Sequence, residues 1–141
     1  MEALELEKCK DTQIGDGMIR GVSGGERKRA AIAAEMVTDP KILILDEPTT
    51  GLDSLNAENV VKALRKMADD NKIVITTIHQ PSVDILKMFD TVLILHEGKK
   101  VYMGTFDGIR PFFLENKIEI PQFSNPVEFL LNVLNLNENS C

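Results

Sequence analysis

Ser23-Gly24-Gly25-Glu26 and Asp46-Glu47 are the residues whose types and spacing suit phosphate and metal chemistry. The first run has the Ser-x-x-Glu form of a capping box, so a helix should begin there. A helix N-terminus carries about half a positive charge and several unpaired N–H groups. Two glycines leave that backbone bare, and phosphate is its natural ligand. A plain capped helix would share the serine and the glutamate.

Asp46-Glu47 follows Ile42–Leu45, a short continuous apolar run of the kind buried on both faces of a parallel sheet. Two carboxylates therefore emerge at a strand's C-terminal end, the edge where ligands bind in open α/β sheets. One acidic turn residue would be ordinary there; two adjacent ones point to chemistry. His79 directly follows the β-branched run Ile73–Ile78 and also stands at a strand end. His96 lies beside a turn and is assigned no role. Gly51-Leu52-Asp53-Ser54 breaks the chain, and Asp53 or Ser54 can cap the next helix.

The elements that must position these groups alternate between helix and strand. Residues 2–9 read as a helix end and 10–21 as a glycine-containing loop. The helix from Ser23 runs to about Val37, where Asp39-Pro40 stops it. Ala57, Val60, Val61, Leu64, Met67 and Ala68 recur at helical spacing and define one apolar face. Pro81 opens a helix to about Phe89, and Thr91–Leu95 and Lys100–Met103 flank a tight Glu97-Gly98-Lys99 connection. A short helix over 107–115 is expected to be interrupted by Pro111. Asn125-Pro126-Val127-Glu128 supplies a cap, Pro at the first position and Glu at the third for a last helix to about Leu136. The fold class is α/β, a mainly parallel sheet flanked by helices.

Composition narrows the function. The 141 residues fall in the range of one domain, and 43% apolar residues suffice for a packed core. A net charge of −6, from 22 acidic against 16 basic residues, argues against a dedicated nucleic-acid binder. The run Arg27-Lys28-Arg29 reads as a solvated helix face. Cys9 and Cys141 form neither a metal spacing nor a disulfide framework. The acidic N-terminus is not a targeting signal, and no apolar run approaches the ~20 residues that span a bilayer.

Taken together, Val22–Arg29, Ile42–Pro48, Gly51–Asp53 and His79 resemble, in order, the motifs of the C-terminal portion of an ATP-binding cassette (ABC) ATPase, a P-loop NTPase fold. Thr77-Ile78-His79-Gln80-Pro81-Ser82 and Asn125-Pro126-Val127-Glu128-Phe129 resemble the G subfamily of white-pigment, sterol and multidrug exporters. Val22 stands where the family usually has Leu, Glu26 where it has Gln, and Asn132 where an acidic residue is expected. The resemblance implies that Ser23, Gly24, Gly25 and Glu26 form the signature that contacts the ATP of an opposing subunit. It implies Asp46 as the Mg²⁺ ligand, commonly through water, Glu47 as catalytic base, Asp53 as part of the loop that communicates across the dimer, and His79 as the switch histidine.

It further implies ATP and Mg²⁺ as cofactors, and a second ABC ATPase subunit and a transmembrane domain as partners, at the cytoplasmic face of a membrane. Residues 1–22 would close the helical subdomain, 23–105 form the core, and 106–141 lead toward a membrane domain. No Gly-x-x-x-x-Gly-Lys-Ser/Thr phosphate loop occurs in these 141 residues. Three missing charge-assisted hydrogen bonds, at ~1.5–3 kcal/mol each, amount to roughly 10³- to 10⁶-fold in nucleotide affinity. The chain by itself is therefore expected to be inactive, and strands Ile73–Ile78 and Thr91–Leu95 to lack the neighbour that lies between them in the family. A truncated regulatory module that pairs with a complete ABC ATPase, and a soluble non-transport ABC ATPase, are the alternative readings.

Overall fold

The computed structural model describes residues 4, 6–15 and 21–138, with side chains described to residue 134. Its contacts fall into two compact units, residues 1–79 and 80–141.

The first unit holds helix α1 (Gly24–Glu35), strand β1 (Ile42–Leu45), helix α2 (Ser54–Asp69) and strand β2 (Ile73–Thr76). β1 and β2 pair in parallel, Ile42 with Ile73 through Leu45 with Thr76. A right-handed crossover through a helix is the ordinary way to join such strands, and α2 is that connection in sequence. α2 buries Ala57, Val60, Val61, Ala63, Leu64 and Met67, five of which form the expected stripe. Leu4, Leu6, Ile32 and Leu43 complete the core against it.

The strands are covered on one face only. Leu43 is buried, but Ile42, Ile44, Ile73 and Ile75 share the opposite face and are all exposed, Ile44 by 75%. Burial on both faces, expected from the apolar run, does not hold for the described residues. An apolar run states what a strand can bury and not what is present to cover it. β2 is also shorter than expected, ending at Thr76 rather than Ile78. A second departure concerns Arg29. Positions 25, 29 and 32 form one helical stripe, so Arg29 lies beneath α1, 6% exposed, and not on a solvated face. Its Nε and Nη1 have no hydrogen-bond partner among the described residues.

The second unit contains the one-turn helix α3 (Val83–Leu86), strands β3 (Val92–His96) and β4 (Lys99–Gly104), and helices α4 (Ile109–Glu115) and α5 (Pro126–Glu138). β3 and β4 form the expected antiparallel hairpin, with a register shift after Ile94. Glu97 and Gly98, at φ +47° and +72°, supply the left-handed turn that matches strand twist. β2 and β3 thus have one strand partner each among the described residues. Pro111 does not interrupt α4, because it occupies the third helical position, where an N–H needs no intrahelical acceptor. The core here is Ile94, Tyr102, Ile109, Phe113, Ile120 and Leu130. Arg110 gathers the loop after α4, donating to the carbonyls of Ile120, Pro121, Gln122 and Ser124 at 2.7–3.2 Å.

Leu64→Ala should destabilise the chain by about 2–5 kcal/mol, because Leu64 is fully buried. Ile44→Thr should change the unfolding free energy measured in urea by no more than about 0.5 kcal/mol. It should reduce self-association of the 141-residue chain in sedimentation, since open apolar strand faces aggregate.

Candidate functional site

The carboxylate pair is placed by the ladder. Lys72, itself largely buried, bonds the Asp39 carboxylate and the Pro40 carbonyl where the two strands begin. That contact holds the Asp39 carboxyl below its usual range. Ile73 N–H donates to the Lys41 carbonyl at 2.8 Å, and at the other end Thr77 N–H donates to the Leu45 carbonyl at 3.1 Å. The ladder therefore delivers Asp46 and Glu47 beside Thr77.

Three exposed residues meet there. The Thr77 hydroxyl donates to Asp46 Oδ1 at 2.6 Å and accepts the Glu47 N–H at 2.9 Å. Glu47 has a left-handed backbone, φ +44°, so regular strand alternation ends at this residue. Its Oε2 accepts from the Thr50 hydroxyl at 2.8 Å, and Thr50 N–H returns to the Glu47 carbonyl at 3.2 Å. Lys28, on α1, reaches the same carbonyl at 3.5 Å. Asp46 Oδ2 has no hydrogen-bond partner among the described residues. His79 is exposed two residues beyond Thr77 and makes no hydrogen bond to either carboxylate among them.

Ser23 and Glu26 form the anticipated box. Ser23 N–H donates to Glu26 Oε2 at 2.8 Å and Glu26 N–H to Ser23 Oγ at 3.3 Å. The Ser23 backbone bond, first among several causes, holds the Glu26 carboxyl below its ordinary value. Outside α1 itself the N–H groups of Gly24 and Gly25 have no partner among the described residues; Gly24 is exposed and Gly25 is buried. Arg27 turns away from the helix end to the carbonyls of Ile14 and Gly15, both at 3.2 Å.

Gly25 also has a packing role that sequence reasoning did not anticipate. A Cβ there would lie 2.5 Å from Asn56 Oδ1. Asp53 caps α2 with Oδ1 on Asn56 N–H at 2.9 Å and holds the Asn56 amide with Oδ2 at 2.7 Å. The Asn56 backbone bond is the main reason the Asp53 carboxyl lies below its usual range. Asn56 thus joins the Asp53 loop to the start of α1. Asn56 and Thr77 are the residues missed; a threonine at a strand end and an asparagine three residues after a cap were the available signals. In the second unit Asn125 caps α5, accepting from Val127 N–H at 3.1 Å, and its amide donates to the Pro81 carbonyl at 2.8 Å.

The donor set at this strand edge fits a magnesium site. Mg²⁺ uses one or two protein carboxylates and keeps waters and phosphates for its other positions. Asp46 offers one such oxygen, and the described residues include no cluster of three acidic, His or Cys ligands that would instead cage a metal. Among the described residues no helix is long and apolar enough to cross a membrane.

The fold matches that of a solved ATP-binding cassette of an ABC transporter, MJ1267, with TM-score 0.65 at 21% identity over 83% of this chain and 46% of that one. The architecture is thus that of part of an α/β P-loop NTPase fold. A family model described as ABC transporter matches residues 1–50, and one described as ABC-2 type transporter matches 79–139. Human ATP-binding cassette sub-family G member 8 is 40% identical over 137 residues, which cover 97% of this chain and 20% of that protein. Protein white of Drosophila melanogaster is 45% identical over 135 residues, 95% of this chain and 20% of that protein. The chain belongs to the ABC transporter family and carries the sequence of its G subfamily. It spans about one fifth of the length of the curated relatives it matches.

Gly25→Ala should destabilise the first unit by about 1–3 kcal/mol through the clash with Asn56. Adding Asn56→Gly should recover part of that loss in a double-mutant cycle followed by chemical denaturation. Strict additivity of the two changes would show that the contact is not formed.

Proposed function

We propose that this chain is part of the ATP-hydrolysing portion of a G-subfamily transporter, in which nucleotide binding and hydrolysis drive export of a lipid or other small molecule. The observation that carries this reading is the meeting of Asp46 and Glu47 at one edge of the parallel β1–β2 pair. The family sequence stands on both sides of it.

Asp46 would hold Mg²⁺, most simply through a water on Oδ2, with Oδ1 bonded to Thr77. Bound with the nucleotide, the metal supplies neutralisation of the charge that develops on the transferring phosphoryl group. Glu47 accepts a proton from the attacking water. The Thr50 bond to its Oε2 restricts the side chain and leaves Oε1 for that water. Ser23, Gly24, Gly25 and Glu26 present the α1 N-terminus to a phosphate held by an opposing subunit. Asp53 and His79 complete the reading as the residues that signal across the dimer and reach the γ-phosphate. Residues 1–22, 23–105 and 106–141 serve as the end of a helical subdomain, the core, and the extension toward a membrane domain. The partners are a second ABC ATPase subunit and that membrane domain.

The signature face and the carboxylate pair belong to different composite sites, and each needs a phosphate loop that these 141 residues lack. Purified alone, the chain should release no phosphate from ATP above the buffer blank. In the full-length protein that carries it, Glu47→Gln should reduce turnover by about 10²-fold or more while nucleotide binding persists. Turnover by the isolated chain, or normal turnover by the Gln variant, would refute the respective assignment.

A further inference from the structure

Neither the capping box nor the carboxylate motif accounts for Thr77, although Thr77 touches both carboxylate residues. A hydroxyl has one proton to give. The Glu47 N–H can only donate, so the Thr77 oxygen accepts from it at 2.9 Å. The proton is then directed to Asp46 Oδ1, at 2.6 Å. One side chain on β2's C-terminal extension therefore fixes the rotamer of the first carboxylate and the backbone of the second. Two consequences follow from the chemistry. Asp46 keeps one oxygen committed to the protein and one without a hydrogen-bond partner among the described residues. Glu47 is pinned in a left-handed conformation that costs a non-glycine residue about 1 kcal/mol, and which its N–H bond and the Thr50 contacts offset.

We propose that Thr77 is a positioning residue for the carboxylate pair, acting through its hydroxyl, so that Mg²⁺ affinity at Asp46 and the turnover assigned to Glu47 depend on it together. This rests on the functional reading above. The inference goes beyond the motif because the residue reaches the chemistry from a different strand. Its backbone N–H bond to the Leu45 carbonyl, 3.1 Å, ties it to the strand that bears the pair.

The test compares Thr77→Val, which keeps shape and loses the hydroxyl, with Thr77→Ser, which keeps the hydroxyl and loses a methyl. Both are made in the full-length protein that carries this segment, beside Glu47→Gln. Steady-state ATP hydrolysis gives kcat and KM. Electron paramagnetic resonance of added Mn²⁺, with a non-hydrolysable ATP analogue present, gives cation affinity without turnover. T77V should lower kcat by about 10- to 100-fold, the loss expected when hydrogen bonds to a charged group are removed. The KM for ATP should change by less than about threefold, Mn²⁺ should bind several-fold more weakly, and T77S should restore both.

Wild-type kcat and Mn²⁺ affinity in T77V would overturn the proposal. So would a T77S variant as impaired as T77V, which would assign the effect to packing. If T77V does not accumulate as folded protein, T77A is judged by the same criteria. Normal turnover in E47Q would overturn the reading of Glu47 instead, and the Mn²⁺ affinity of T77V would still decide the role of Thr77.

Discussion

The parallel ladder between Ile42–Leu45 and Ile73–Thr76 is the constraint on which the site depends. Its register pairs Leu45 with Thr76, so the next residues on both strands leave the sheet side by side. A shift of one residue would carry Thr77 away from Asp46 and turn Leu43 out of the core. Both ends of the ladder are fastened by polar side chains that cross it, Lys72 to Asp39 at the entry and Thr77 to Asp46 at the exit. Between them the register is held by the apolar face against α2.

Around that ladder the molecule devotes its polar groups to fixing backbone. Asp53 caps α2 and orients Asn56, Ser23 and Glu26 cap α1, and Arg27 and Lys28 bond loop carbonyls. Gly25 lets the beginnings of α1 and α2 approach more closely than any side chain would permit. The helix end that faces a phosphate in the proposed function is therefore set by its neighbour helix, and not by its own cap alone. The apolar strand face opposite the core follows a different logic. Ile42, Ile44, Ile73 and Ile75 form a continuous surface that four isoleucines would seldom present to water in a finished domain. The chain spans about one fifth of the length of its curated relatives, and this face offers apolar area for further structure to bury.

Much of this was legible in the residues. Ser-x-x-Glu gave the α1 start, because capping chemistry is local. The period of Ala57, Val60, Val61, Leu64 and Met67 gave the buried face of α2, and Asn125-Pro126 gave the start of α5. What could not be read were effects of tertiary neighbours. An apolar run did not disclose that β1 is covered on one side only. The basic run did not disclose that Arg29 turns under the helix, since helical phase relative to a partner depends on that partner. Pro111 looked like an interruption because the α4 start, a glycine without a side-chain cap, left no mark by which to count positions. Thr77 read as a β-branched strand residue that opens the subfamily run Thr77–Ser82, and only the pairing register shows that it faces a carboxylate.

The claim at the centre of this account is that the ladder's exit and the α1 start are two halves of separate phosphate sites. A structure of the full-length protein, trapped with Mg²⁺ and an ATP analogue, tests it most directly. The account predicts Asp46 within one water of the metal, and Glu47 facing the γ-phosphate of the nucleotide on its own subunit. The Gly24 and Gly25 N–H groups would then meet the γ-phosphate of the nucleotide on the opposing one. Asp46 and Gly25 of one subunit converging on a single nucleotide, or a phosphate tail that touches neither, would contradict it.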